Sequence, residues 1–112
     1  MILLVLVLTS TEKSGEILYE LYQAGITGTT VIESNGMGET TLENMPLFGG
    51  IRALFYRQLS PNQVIFSVIE SEETTQKAIG VIESIIGDLE LGKKGILFTL
   101  KLEQVKGFTS HA

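Results

Sequence analysis

The opening stretch MILLVLVL leaves this chain few options. An apolar run so short does not cross a bilayer, which takes about 20 residues as a helix, and it lacks the basic residues that precede the apolar core of a secretory leader. It stops at Leu8, before Thr9, Ser10 and Thr11. A strand with one wet face alternates apolar and polar side chains. Ile2 to Leu8 is apolar at every position, so the reading is a strand that needs cover on both faces.

Punctuation along the rest of the sequence sets the order of elements. Ser10 or Thr11 is placed to cap a helix with Glu12 and Glu16 near its positive end, Ile17, Leu18, Leu21 and Tyr22 at helical spacing, and Gly25 as its stop. Thr27 to Glu33 (TGTTVIE) is β-branched and strand-like. From about Ser34 to Gly50 comes a Gly-punctuated segment far longer than the usual connection of about 4–6 residues, and such segments tend to carry function. Ile51 to Leu59 suits a strand or a short helix, Ser60-Pro61-Asn62 is turn chemistry, and Val64 to Ile69 is an apolar strand. Ser71 starts a second helix with Ala78, Ile79, Ile82, Ile85 and Ile86 as its apolar face, ending near Gly87. After Gly92-Lys93-Lys94-Gly95, a last strand runs from Ile96 to Leu102.

The order β-α-β-β-α-β predicts a single α+β domain over residues 1–112 of ferredoxin-like architecture, an antiparallel sheet with two helices on one face. Two helices on one face leave the other bare. Because the strands at Ile2–Leu8 and Val64–Ile69 are apolar at nearly every position, the bare face is expected to be covered by further copies of the chain.

The chemistry-bearing residues narrow the function. The net charge of −5 and scattered lysines and arginines argue against a nucleic-acid partner. There is no Cys, and the one His, His111, lies in the C-terminal tail, so no catalytic residue and no metal site is assigned. The absence of Cys also makes the cytoplasm the default compartment. Most carboxylates fall in the helical regions, where solvated faces account for them. Two glycine signals remain. Gly36-Met37-Gly38 follows a strand and lets backbone N–H groups approach an anion, although a plain loop start explains it equally well. Gly92-Lys93-Lys94-Gly95 adds two ammonium groups to a sharp bend, as a polyphosphate site would, though an ordinary surface turn reads the same and the Walker A spacing is absent.

Together the chain length, the strand order, the block GITGTTVIESNGMG from Gly25 to Gly38, the long segment after it and the Gly/Lys turn before the last strand resemble the PII signalling proteins, small trimeric nitrogen and carbon regulators. The resemblance implies a homotrimer that binds ATP, ADP or AMP between subunits, with no further cofactor. Thr30 matches the strand Thr that contacts the nucleotide. Gly36 and Gly38 match the glycines at the base of the T-loop, the segment that reaches partner proteins. Gly92, Lys93, Lys94 and Gly95 cover the phosphate-cradling B-loop, and Lys106 falls near a C-terminal Arg that reaches across from a neighbouring subunit. Four departures accompany this. Thr40 stands where a Gln helps to hold Mg²⁺ and 2-oxoglutarate, Glu39 stands where an Arg is common, and no Tyr lies between Ser34 and Gly50. Gly95 occupies the position of the phosphate-binding Lys, which leaves that role to Lys94 one position earlier.

The expected function is therefore a non-enzymatic regulator acting through the T-loop-like segment at about 34–50, with a membrane transporter or a metabolic enzyme as its target and no membrane insertion of its own. That segment is polar from Glu39 to Asn44 and apolar from Met45 to Phe48, which suits an arm carrying an anchor. Glu39, Met45, Leu47, Phe48 and Arg52 are its candidate partner-binding residues. A fold-back of Met45–Phe48 onto the body is the alternative. Competing functions are a ligand-independent adaptor trimer and a small ferredoxin-like enzyme with its site in the subunit cleft.

Overall fold

The computed structural model of the chain describes residues 1–9, 11–34, 62–91 and 94–108. The elements are β1 (Ile2–Leu8), α1 (Ser14–Gln23), β2 (Thr29–Ser34), β3 (Asn62–Ile69), α2 (Glu72–Ile86) and β4 (Gly95–Lys101). The strands form one sheet in the order β2-β3-β1-β4, with every neighbouring pair antiparallel. This is the ferredoxin-like α+β arrangement that the element order predicts. The reading of Ile51–Leu59 falls outside the described residues.

β1 sits between β3 and β4, and its burial alternates. Ile2, Leu4, Leu6 and Leu8 are buried under the helices, while Leu3, Val5 and Val7 are half-buried on the opposite face. α1 contributes Ile17 and Leu21 to that core, one turn apart, and α2 contributes Thr75, Ala78, Ile82 and Ile86 at spacings of three and four. Ala78 has no exposed surface, so its small side chain lets α2 lie close to its neighbours. Tyr22, expected on the apolar face of α1, is 63% exposed, because the helix turns its Ile17–Leu21 stripe inward and carries Tyr19 and Tyr22 outside it.

The helix ends are fixed by identifiable contacts. α1 begins later than expected, at Ser14, with Lys13 in the cap position and no side-chain cap; the Ser14 hydroxyl instead donates to the Thr11 carbonyl at 2.9 Å. Its C-terminus closes as a Schellman motif: Gly25 has φ +92°, its amide donates to Tyr22, and the Ile26 amide donates back to Leu21. Ile26 is buried, so the motif also directs the chain into the core. At the start of α2 the Ser71 hydroxyl oxygen accepts from the Thr74 amide, and Thr74 takes the position a capping-box Glu would hold, accepting the Ser71 hydroxyl proton at 3.0 Å. The Thr75 hydroxyl, fully buried, donates to the Ser71 carbonyl at 2.8 Å.

Strand bounds shift from the expected ones by one or two residues. β2 begins at Thr29 instead of Thr27, and just before it the Gly28 carbonyl accepts the Ser67 hydroxyl at 3.0 Å. β4 begins at Gly95, paired with Leu8, and the ladder continues one step further through the Thr9 amide to the Lys94 carbonyl at 2.9 Å. Gly95 has a steric reason to be glycine. A Cβ built there would run into the Val7 carbonyl oxygen of β1, and the obstacle is backbone that cannot rotate away. Gly95→Ala is expected to spread the β1–β4 pairing and cost about 1–3 kcal/mol of stability, the usual scale of overpacking. The check is a urea titration, in which the midpoint should fall while the slope stays constant.

Candidate functional site

Three places on the fold hold the described candidate residues. The register places Thr30 on β2, opposite Phe66 of β3, which is opposite Val5 of β1, which is opposite Phe98 of β4. These four form one row across the face that the helices leave open. A second row runs Ile32, Val64, Val7, Ile96, and a third runs Val68, Leu3, Leu100. Thr30 is the one polar side chain in the three rows. Ile32 is 48% exposed, Ile96 60% and Phe98 43%, so the open face is a contiguous apolar surface of a kind that marks an interaction site.

Lys94 and Gly95 lie at the opposite edge of the sheet from Thr30, at the start of β4. β3 and β1 stand between them, which makes three interstrand spacings, about 14 Å. Lys94 is exposed. Gly95 cannot carry a longer side chain for the reason given above, so no cation can stand at that position itself. Lys106 is exposed in the tail beyond β4, at the other end of the sheet, where the Leu102 amide donates to the Met1 carbonyl. One chain thus does not bring Thr30, Lys94 and Lys106 together. Gly36, Gly38, Gly92, Lys93 and the partner-binding candidates Glu39, Met45, Leu47, Phe48 and Arg52 lie outside the described residues.

A feature that sequence reasoning missed lies at the end of the sheet near Thr30. The turn Ala24–Gly28, the end of β3 at Val68–Glu70, Thr74 of α2 and Phe108 of the tail enclose a recess of about 190 Å³. Gly28 lies two residues before Thr30, and Val68 lies two residues after Phe66 on the same face. Local chemistry builds this recess: the Schellman closure at Gly25 turns the chain, and Gly107, with φ +85°, turns the tail just before Phe108. The signal in the sequence was the pair of glycines at 25 and 107. The contact between their segments is not readable, because about eighty residues separate them.

A wider groove of about 580 Å³ runs along the start of β4, between Ile79 and Glu83 of α2 and the Asp88–Glu90 turn. Two of its three carboxylates accept from backbone amides. Glu83 accepts from the Leu89 amide at 3.3 Å and Asp88 from the Glu90 amide at 2.9 Å, which folds the chain just after α2. Among the described residues no group of three or more His, Cys, Asp and Glu side chains is arranged to hold a metal ion.

The search of curated proteins gives no match. The family model for nitrogen regulatory protein P-II matches residues 2–111, a span that includes every strand and helix described above. With the ferredoxin-like sheet and the bare apolar face, this match over nearly the whole length means that the chain belongs to the nitrogen regulatory protein P-II family.

Proposed function

We propose that this chain is a non-enzymatic signal-transducing regulator, which binds an adenine nucleotide at clefts between subunits and controls a target transporter or enzyme through the segment at about 34–50. The observation that carries the reading is the division of the candidate ligand groups. Thr30 stands on one sheet edge and Lys94 at the other, with an apolar face that α1 and α2 leave open between them. Copies packed through that face give β2 of one chain a neighbour whose Gly92–Gly95 turn belongs to another. The recess beside Thr30, at about 190 Å³, is small against the roughly 300–1,000 Å³ of complete ligand pockets, which suits one end of a shared site. The base occupies the recess, and the phosphates extend toward Lys93 and Lys94 of a neighbouring copy. ATP, ADP and AMP all satisfy this chemistry.

Regulation follows if the nucleotide binds one arrangement of the 34–50 segment more tightly than another, since a ligand shifts an equilibrium only by its differential affinity. Among the described residues no helix is long and apolar enough to cross a membrane, so a membrane transporter as target would be met from outside the bilayer. The blocked side chain at Gly95 favours one competing reading, an adaptor trimer that needs no ligand.

Light scattering at micromolar concentration should give a mass about three times the 12.2 kDa of one chain. Val5→Glu, which puts a carboxylate in the middle of the open face, should return the mass to that of one chain and remove nucleotide binding with it. A stable wild-type monomer would remove the cleft and this function. The second prediction concerns Lys93 and Lys94. Changing both to Ala should weaken ATP binding, followed by isothermal titration, by at least tenfold, about 1.4 kcal/mol, while leaving mass and melting temperature in place. Equal affinity in the double variant would dismiss the phosphate assignment, and no adenine nucleotide binding by the wild type would leave the adaptor reading.

A further inference from the structure

We infer that Phe108 is a ligand-contacting residue, the aromatic wall against which the flat heterocycle of the nucleotide rests. This rests on the adenine-nucleotide reading above and adds a residue and a specificity to it. The tail leaves β4 at Lys101, is held where the Leu102 amide donates to the Met1 carbonyl at 2.9 Å, and reaches the far side of the sheet end at Phe108. The path is specified by backbone. Gly107 takes a left-handed conformation, φ +85°, which directs Phe108 against the Ala24–Gly28 turn and Val68. Phe108 is only half-buried and lines a recess open on one side, so its ring has a free boundary that the core does not use.

The opposite walls match a heteroaromatic ring. Thr27 and Gly28, just before β2, are exposed residues, and the Gly28 carbonyl accepts the Ser67 hydroxyl at 3.0 Å. A base edge needs backbone donors and acceptors of this kind, and its face needs an apolar plane. Among the described residues no cation lines the recess, whereas Glu70 does, so this end of the site favours a neutral ring over phosphate. Base recognition and phosphate recognition are thereby separated between the two ends of the site.

The test is titration calorimetry of the full chain with AMP, adenosine and ribose 5-phosphate. Aromatic stacking on a base is worth about 1–3 kcal/mol, so Phe108→Ala should weaken AMP and adenosine about tenfold or more and leave ribose 5-phosphate unchanged. Phe108→Tyr keeps the ring and should stay within about twofold of wild type. Phe108→Leu keeps the apolar bulk and should fall close to the alanine variant. Melting temperature and oligomer mass, measured on the same samples, should match wild type for Tyr and Leu, so the pair decides the question if the alanine variant fails to fold. Leu and Tyr variants of equal affinity, or tighter binding in Phe108→Ala, would overturn the inference, the latter by making Phe108 a plug. Wild-type protein that binds none of the adenine ligands would overturn the nucleotide reading and this inference together. Wild-type binding without any effect of Phe108 would overturn this inference alone.

Discussion

Everything in this fold depends on one constraint: the central strand has no polar side chain to offer to water. Ile2, Leu4, Leu6 and Leu8 are satisfied within the chain by α1 and α2, whose buried positions fall over them. Leu3, Val5 and Val7 are satisfied only halfway, by their cross-strand neighbours on β3 and β4. Hydrophobic free energy scales with apolar area removed from water, so burying the open face would be favourable, and the strand that offers it is the one that fills the core.

The same constraint explains why candidate site residues are spread out. In a four-stranded sheet with β1 and β3 in the middle, polar groups that must remain reachable are left to the two edge strands, β2 and β4, and to the connections at their ends. Thr30, the one polar member of the cross-sheet rows, is on an edge, and so is Lys94. The described residues of one chain do not bring Thr30 and Lys94 together, and the shared site proposed above would tie ligand affinity to oligomer formation.

Much of this was legible in the sequence because it rests on local patterns. The unbroken apolar run gave β1, the spacing of Ala78, Ile82 and Ile86 gave α2, and Gly25 and Gly87, both at positive φ, gave the two helix stops. Errors arose where a tertiary contact competes with a local rule. Thr27 and Gly28 look like strand residues, yet β2 begins only at Thr29, and the Gly28 carbonyl accepts the Ser67 hydroxyl. Tyr22 has helical spacing to Leu18, but the stripe that turns inward is centred on Ile17 and Leu21. Gly95 reads as a loop glycine beside two lysines. Its reason is the close passage of the β1 backbone, which no pattern within β4 reveals. The recess was invisible because its walls come from four separate parts of the chain.

The Schellman closure at Gly25 and Ile26 has a consequence for how occupancy of that recess would be felt. The residues that terminate α1 are also one wall of the recess, and Ile26 joins that wall to the core. A molecule seated there therefore holds the last turn of a helix that lacks a side-chain cap at its other end. By linkage, whatever binds the closed turn resists its fraying, and amide exchange at residues 24–26 slows in proportion to saturation. The helix terminus would thus double as a gauge of occupancy, read through amide protons already bonded within the closing turn.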